Sequence, residues 1–301
     1  MSSKPLNQYS PLRYPGGKGK LSSFVAAIVK QNKLADGLYV EPYAGGAAVA
    51  WDLLLTGQVK RVAINDLNRS LYAFWDSVLN NTQELVSLIE KTPIDMGTRD
   101  RQKAIMSDPD RYDNITLGFA LFFLNRTNRS GILNGGVIGG RDQSGPGKMD
   151  ARFNKSNLID RIEAISRFRR KITLTNLDAV HYLKEYSADW GKKTLVYLDP
   201  PYFEKGRDLY YDFYKADDHA NVAIAVHQLN HVSWVVSYDD VGPIADLYRS
   251  DQGIRYSIGY SARKRVVGKE AMFFSAGLMV PEVHGSMIEL ERWGIPAAAL
   301  V

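Results

Sequence analysis

The sequence predicts an α/β fold in which a Rossmann-like parallel sheet is interrupted by a mainly helical lobe. Two short runs with a strand pattern, at residues 62–65 and 195–198, are each followed by an acidic side chain. Such a side chain lies at the carboxyl end of its strand, the ligand-facing edge of an open α/β sheet. Strand patterns then stop between residues 76 and 165. We therefore expect one α/β domain from residues 1–75 and 166–301, and an inserted lobe from residues 76–165.

Composition sets the broad class of protein. The 301 residues are 45% hydrophobic and 24% charged, which is ordinary for a soluble globular chain. The first ten residues are polar, and no run approaches the roughly 18 apolar residues that span a membrane, so we expect a cytoplasmic protein. The absence of cysteine excludes disulfides, thiolate metal sites and cysteine nucleophiles. A net charge of +5 weakly favours a polyanionic partner.

The strand at residues 195–198 ends in Asp199, Pro200, Pro201 and Tyr202. Two prolines forbid the strand from continuing and fix the backbone, so its carbonyls become pre-oriented acceptors. A carboxylate, a free carbonyl and an aromatic face suit a planar ring that bears an amino group. The same residues could instead simply cap a strand that ends in a Pro-Pro turn.

A strand, a glycine turn and a helix start follow one another over residues 39–50. Glycines at such a turn let a ligand approach the backbone amides at the start of the helix. The spacing does not fit the dinucleotide fingerprint, and the glycine-rich stretch 11–20 does not fit a P-loop. Asp66 lies about twenty residues beyond the turn, where an acidic side chain can bind ribose hydroxyls. Asp66 could also be an ordinary helix cap.

The segment from Arg126 to Arg170 is basic, with about ten Lys and Arg against about four Asp and Glu. Within it, residues 125–136 and 139–147 are polar and rich in glycine. These residue types make phosphate and base-edge contacts, although a solvated basic face has the same composition.

The remaining patterns predict further elements. Trp75 and its apolar neighbours are expected in the core, and the five histidines have no metal-binding spacing, so no metal is expected. The predicted elements are helices at 21–31, 71–90, 115–124 and 217–230, strands at 171–174 and 231–238, a basic-tipped hairpin from 254–261 and 270–275, and a mobile loop at 203–214.

Three stretches together resemble the Dam-like DNA adenine methyltransferases, which use S-adenosylmethionine. They are residues 13–18 (RYPGGK), residues 41–47 (EPYAGGA) with Asp66, and residues 199–202 (DPPY), in the order of that family. Ala47 departs from the family's pattern because it replaces the last glycine of the second stretch. The resemblance implies a class I methyltransferase fold with a target-recognition lobe, and methylation of the exocyclic amine of a flipped adenine in duplex DNA.

The resemblance also implies roles for particular residues. It implies catalytic roles for Asp199, the Pro200 carbonyl and Tyr202. It implies cofactor contacts for Tyr14, Lys18, Glu41, Tyr43, Gly45, Asp66, Asp178 and Asp199. The expected DNA contacts are Arg13, Arg126, Asn128, Arg129, Asn134, Arg141, Arg152 and Lys264.

Two other functions stay open from the sequence. The same residues could methylate an adenine or cytosine amine in RNA, or the chain could be a DNA-binding relative that has lost catalysis. We expect a protein that acts on DNA as a monomer. A cognate restriction nuclease and the recognition sequence cannot be read from this chain.

Overall fold

Eight strands form a single mixed sheet within the residues that the computed structural model describes, namely 9–13, 18–204, 214–259, 267–285 and 287–295. The strands are β1 (Leu38–Glu41), β2 (Arg61–Asn65), β3 (Ile172–Thr175), β4 (Thr194–Leu198), β5 (Ser233–Asp239), β6 (Gln252–Gly259), β7 (Val267–Phe274) and β8 (Met287–Trp293).

The order of the strands is β3-β2-β1-β4-β5-β7-β6-β8. The first five are parallel, and β7, β6 and β8 continue the sheet in antiparallel pairs. The chain order reverses between the neighbours β1 and β4, so a crevice opens at their carboxyl ends, where ligands bind in open α/β sheets. This order, with its reversed last strands, confirms the predicted Rossmann-like class I methyltransferase fold.

Helices lie between the strands and cover both faces of the sheet. They are α1 (Ser22–Gln31), α2 (Ala48–Leu55), α3 (Arg69–Asn80), α4 (Thr82–Lys91), α5 (Met96–Met106), α6 (Asn114–Thr127), α7 (Lys155–Ser166), α8 (Ala179–Tyr186), α9 (Ala216–His227) and α10 (Gly242–Leu247). Within the described parts of the chain, none of them is long and apolar enough to cross a membrane.

The side chains of β4 show how the sheet divides the core. All five residues of β4 are buried, and Leu195 and Tyr197 pack into one hydrophobic cluster while Val196 and Leu198 pack into another. The first cluster also contains side chains of α1, α2, α3, α6 and α7. Period-two alternation therefore directs Asp199 toward the same face as Tyr197.

Several predicted elements differ from the observed ones. The run at 71–90 forms two helices rather than one, because the backbone leaves the helical conformation at Asn81 (φ −125°) before α4 begins. The strand predicted from Lys171 begins at Ile172, since Lys171 closes a short 3-10 turn. Strand β8 was not predicted, because its charged residues (MIELERW) mask the alternation typical of a strand.

Helices α4 to α7 occupy most of the predicted lobe between β2 and β3. Their buried side chains, including Phe122, Phe153 and Leu158, belong to the same hydrophobic cluster as Leu195 of β4. The lobe therefore packs directly on one face of the sheet. Its separate role in DNA recognition stays a prediction.

Candidate active site at the carboxyl edge of the sheet

Asp199 follows β4 directly and is held by its neighbour β5. The Ser237 hydroxyl donates a hydrogen bond to Asp199 Oδ1 (2.9 Å), and the Tyr197 hydroxyl lies 2.9 Å from the same Ser237 oxygen. Ser237 is fully buried and Asp199 is half-buried. Because the serine proton points to Asp199, the tyrosine is the donor in the second bond. One oxygen of the Asp199 carboxylate is thus fixed by a buried hydroxyl chain.

Asp239, two residues beyond Ser237 on the same face of β5, fixes the backbone after Tyr202. Its two carboxylate oxygens accept the amide hydrogens of Phe203 and Glu204, each at 2.9 Å. Asp239 is only 3% exposed. The segment 199–204 is therefore anchored at both ends by side chains of one strand.

Neither Ser237 nor Asp239 was predicted as a site residue. Both residues lie where the strand predicted at residues 231–238 ends. Ser237 and Asp239 alternate along β5 in step with the apolar Val235, so all three side chains lie on one face of the strand. This alternation, together with the position of β5 beside β4, is the pattern that could have identified the two residues.

The glycine turn after β1 is held from two sides. The buried Trp75 donates its indole N–H to the Gly45 carbonyl (2.9 Å), and the Ser10 hydroxyl donates to the Gly46 carbonyl (2.6 Å). Trp75 therefore has a structural hydrogen bond in addition to its predicted core position. Gly45 lies in the left-handed region (φ 48°), and so does the buried Ala47 (φ 45°, ψ 34°) just before α2.

Asp66 lies at the end of β2 and accepts the amide hydrogens of Gly45 (2.8 Å) and Asn68 (2.9 Å). Burial raises its pKa to about 6, although both amide bonds oppose that shift. Asp66 therefore shapes the glycine turn and is also positioned at the ligand-facing edge.

Asn65, which sequence reasoning missed, joins three strand ends. It is fully buried, donates to the carbonyls of Pro42 (3.0 Å) and Leu177 (2.9 Å), and accepts from Thr175 Oγ1 (2.8 Å) and the Leu177 amide (3.0 Å). All the hydrogen-bonding capacity of its amide is used to fix this edge.

Glu41, the last residue of β1, is buried at 5% exposure and accepts the Ala50 amide hydrogen at 3.1 Å. Burial is the main cause that raises the pKa of Glu41 to about 8; hydrogen bonds from Tyr39 and the Ala50 amide oppose this shift, and the Asp199 and Asp52 carboxyls add to it. Asp199, at the end of β4, and Asp52, on α2, are thus both within electrostatic reach of Glu41. Such a site favours a positively charged ligand.

An aromatic cluster closes the other side of the crevice. The Tyr43 and Tyr214 hydroxyls lie 3.1 Å apart, and burial raises the pKa of Tyr214 to about 12. Asp178 is exposed and caps α8 through the His181 amide (3.0 Å). A cavity of about 340 Å³ between α8 and α9 is lined by Asp178 and Tyr214, among others.

Tyr14 and Lys264 lie outside the described residues, as do the side chain of Lys18 and residues 205–213 of the predicted loop. Pro200 is buried, and Tyr202 is half-buried beside it. Among the described residues, no group of three or more His, Asp or Glu side chains could hold a metal ion.

The segment after α6 forms a hairpin-like loop, here called the recognition loop (residues 129–136), closed by the pairing of Asn128 with Val137. Arg129 and Asn134 are exposed on this loop. Gly131 lies in the left-handed region (φ 77°), and a Cβ there would come within 2.2 Å of the Arg13 carbonyl oxygen. The loop therefore packs closely on the N-terminal segment.

Asn128 supports this loop from inside. It is fully buried, accepts from Arg99 Nε (3.1 Å) and donates to the carbonyls of Ile132 (3.0 Å) and Leu133 (2.8 Å). A direct base contact by Asn128 does not fit this arrangement, because its amide is occupied within the protein. Asn128 shapes the loop instead.

Asn125 ties the loop to the N-terminal segment. It accepts the Arg13 amide hydrogen (2.7 Å) and donates to the carbonyls of Arg13 (2.7 Å) and Gly131 (3.0 Å). Asn125 is buried at 3% exposure.

The predicted DNA-contacting arginines have different surroundings. Arg126 is half-buried and donates to the carbonyls of Arg152 (2.7 Å) and Pro11 (3.4 Å), and Arg13 donates to the Asn128 carbonyl (3.1 Å). Arg141 is exposed but forms a two-point ion pair with Asp100 (2.8 and 3.1 Å). Arg129 and Arg152 are exposed.

Comparisons with known proteins agree with this geometry. The family profile of the D12 class N6 adenine-specific DNA methyltransferases matches residues 14–266. The type II methyltransferase M.MjaIII of Methanocaldococcus jannaschii is 24% identical over 205 residues, which cover 64% of this chain and 68% of that protein.

Solved structures are more distant. The rRNA methyltransferase AviRa of Streptomyces viridochromogenes has a TM-score of 0.35 at 13% identity, with 91% of this chain and 92% of that chain covered. The protein LPL1258 of Legionella pneumophila has a TM-score of 0.36 at 8% identity, with coverages of 90% and 85%. At these values the likeness carries no information about the substrate of this chain.

Proposed function

Because the chain belongs to the family of D12 class N6 adenine-specific DNA methyltransferases, we propose that it methylates the exocyclic amine of an adenine flipped out of duplex DNA. The enzyme class follows from the family, whereas base flipping and the roles of individual residues are part of the proposal. Flipping is required since a stacked base cannot reach a strand-end carboxylate, and it costs a few kcal/mol.

The carboxyl edge of the sheet fits S-adenosylmethionine as the methyl donor. When bound, this cofactor supplies a methyl group already activated by a positively charged sulfonium. The fit rests on the carboxyl groups of Glu41 and Asp199, which lie at the carboxyl ends of the adjacent strands β1 and β4, because a cation beside them favours their ionised forms. The Gly45 turn allows close approach of the ligand, and Asp66 is placed to accept ribose hydroxyls.

Other proposed cofactor contacts surround these residues. Asp178 borders the cavity beside Tyr214 and is assigned to the adenine ring of the cofactor. Tyr43 is assigned to the wall of the same crevice. The assignment of Tyr14 and Lys18 to the methionine end rests on the sequence motif only.

Asp199, Pro200 and Tyr202 are assigned to the target base. The amine nitrogen of adenine is a weak nucleophile since its lone pair is conjugated with the ring. The Asp199 carboxylate and the Pro200 carbonyl accept hydrogen bonds from the two N–H groups of the amine and thereby hold its nitrogen in a reactive geometry, while Tyr202 stacks on the base. Placement of the amine supplies most of the rate.

One observation carries this proposal: Glu41 and Asp199 lie at the carboxyl ends of the adjacent parallel strands β1 and β4, at the switch point of the sheet. The residue assigned to the amine and a residue assigned to the cofactor influence each other electrostatically across two adjacent strands. A methyl donor held by β1 and an amine held at the end of β4 are thus brought together.

The proposed DNA surface is the recognition loop and its surroundings. Arg129 and Asn134 are exposed there and are assigned to base or phosphate contacts. Arg141 must leave Asp100 to reach DNA. Lys264 retains its assignment from sequence, and Asn128 acts through the shape of the loop.

The direct test is transfer of labelled methyl from S-adenosylmethionine to unmethylated duplex DNA, followed by nucleoside analysis of the digest. We expect N6-methyladenine, with none formed by Asp199→Ala under the same conditions. Label in RNA but not in DNA would overturn the duplex-DNA substrate. Cofactor binding without methylation of either nucleic acid would favour the non-catalytic relative.

The Methanocaldococcus relative is named a type II methyltransferase. This supports the further proposal that the chain methylates one short sequence and protects it from a cognate restriction nuclease. Sequencing of methylated genomic DNA should then find every copy of a single short sequence modified. Scattered methylation without a common sequence contradicts this role.

A further inference from the structure

Arg126 and Arg161 bind the N-terminal segment of residues 10–13, which contains Arg13, and Arg152 lies within electrostatic reach of Arg13 and Arg126. These four residues are here called the arginine cluster. Arg161 donates to the Ser10 carbonyl (2.9 Å) and Arg126 to the Pro11 carbonyl (3.4 Å). Arg126 Nε also donates to the Arg152 carbonyl (2.7 Å). The hydrogen bonds recorded for these side chains go to neutral backbone carbonyls, which do not cancel a positive charge.

The cluster contains no neutralising carboxylate among the described residues. Burial, together with the charges of Arg13, Arg161 and Arg152, lowers the pKa of Arg126 to about 9. Burial also lowers the pKa of Arg13 and of Arg161, and no acidic side chain opposes either shift.

Other arginines of the chain show the opposite arrangement. Arg141 pairs with Asp100 and Arg255 with Asp240, and hydrogen bonds to these carboxylates raise the pKa of both arginines. An unneutralised group of cations next to the recognition loop is therefore a particular property of this region. An arginine guanidinium matches phosphate oxygens in both charge and geometry.

We propose that the arginine cluster binds a backbone phosphate of the DNA duplex, and that Arg161 is part of this phosphate site. The proposal rests on the proposed function, since it takes duplex DNA as the substrate. Arg152 is exposed while the other three are half-buried, so the phosphate approaches from the Arg152 side. The contact is independent of base sequence and fixes the position of the duplex beside the recognition loop.

The cluster also joins the DNA to the glycine turn. Arg161 holds the Ser10 carbonyl, and the Ser10 hydroxyl holds the Gly46 carbonyl at 2.6 Å. A phosphate bound at Arg161 therefore lies two hydrogen bonds from the turn assigned to the cofactor.

The test is the salt dependence of DNA binding, measured on the full chain with a duplex that it methylates and with an unrelated duplex. Arg161→Gln should flatten the slope of log K against log salt by about one unit on both duplexes. Arg161→Lys retains the charge and should retain the slope. Arg61→Gln is the matched control, because Arg61 is exposed at the opposite, amino edge of the sheet.

An Arg161→Gln slope equal to that of wild type, in a protein with wild-type thermal unfolding, overturns the phosphate site. An unchanged slope combined with weaker binding of S-adenosylmethionine without DNA overturns it too, because the bound anion is then the cofactor carboxylate. If Arg161→Gln does not fold, Arg152→Gln gives the same test at an exposed position. Methylation of the first duplex by wild type separates these outcomes from failure of the proposed function.

Discussion

The Ser237 hydroxyl donates to Asp199 Oδ1 across 2.9 Å, from one parallel strand to the end of the next. This bond fixes the rotation of the Asp199 carboxylate, so that its orientation is set before any ligand binds. Because Ser237 is fully buried, its bond to the half-buried carboxylate is sheltered from competition by water.

Removal of the Ser237 hydroxyl should slow the chemical step. We expect Ser237→Ala to lower kcat by about tenfold, the equivalent of one hydrogen bond worth roughly 1.4 kcal/mol, with DNA binding little changed. Single-turnover methylation measures this effect. Ser233→Ala, at the start of the same strand, is the control, and equal rates for the two variants would remove Ser237 from the site.

Removal of the carboxylate itself should have a larger effect. Asp199→Ala should leave DNA binding nearly intact and reduce methyl transfer by a factor of about 10² or more, the scale for loss of a positioned proton acceptor. Gel-shift and single-turnover assays on the same protein separate the two quantities. Near-normal turnover would exclude Asp199 from the mechanism.

Asp239 should contribute to both stability and activity. Asp239→Asn leaves one side-chain oxygen for the two amides of Phe203 and Glu204, so we expect a loss of about 1.5–3 kcal/mol in the free energy of unfolding and a lower kcat. Urea denaturation measures the free energy of unfolding. Asp246→Asn, an exposed position on α10, should match wild type, and an equally stable Asp239→Asn would contradict the anchoring role.

Cofactor binding should depend on pH through Asp66. Its pKa in the cofactor-free protein is raised to about 6, which means that the folded protein favours the protonated carboxyl of Asp66. The contribution of Asp66 to the free energy of unfolding is therefore fully present below its unfolded pKa and is lost as pH rises through 6. Ribose hydroxyls favour the ionised carboxylate, so a plot of the logarithm of cofactor affinity against pH should bend near pH 6. Below pH 6 the affinity should weaken by up to about tenfold for each pH unit. Titration calorimetry from pH 5 to 7 should show this bend.

Two variants check this assignment. Asp66→Asn should bind more weakly and lack the bend, while Asp36→Asn, at an exposed residue outside the crevice, should keep it. A bend that persists in Asp66→Asn would assign the titration to another group.

The left-handed backbone of Ala47 predicts an unusual tolerance of glycine. Glycine should relieve about 1–2 kcal/mol of steric cost at this left-handed position. This gain should offset the roughly 0.5–1 kcal/mol that glycine costs in conformational entropy and the about 0.8 kcal/mol that loss of a buried methyl group costs. Ala47→Gly should therefore unfold with a free energy within about 1 kcal/mol of wild type. Ala50→Gly, buried inside α2, should cost about 2 kcal/mol, and equal losses at both positions would show that no strain is relieved.

The fold and the main site motifs could be predicted from sequence because they depend on local patterns. The strand before Asp199 and the turn at Gly45 each carry their pattern within about ten residues. Ser237 and Asp239 could not be identified in this way, since their importance comes from the strand beside them, some forty positions away in the chain.

The basic segment from Arg126 to Arg170 also shows that local sequence patterns do not reveal the surroundings of each side chain. Asn128 and Arg129 are neighbours with similar expected roles, yet one is fully buried and the other is exposed. Composition indicates that a segment is suited to contact DNA, but the direction of each side chain depends on tertiary packing. Asn125, which no local pattern distinguishes, joins the segment to the backbone of Arg13.

The way in which the recognition loop is held also bears on how this protein can evolve. Asn125 and Asn128 fix the loop from the buried side, whereas Arg129 and Asn134 point outward. If the recognition loop contacts the bases as proposed, substitutions at the outward positions change the preferred DNA sequence without disturbing the scaffold or the residues around Asp199. On that proposal, new sequence specificities are accessible through single surface mutations, while the proposed catalytic residues are inherited unchanged.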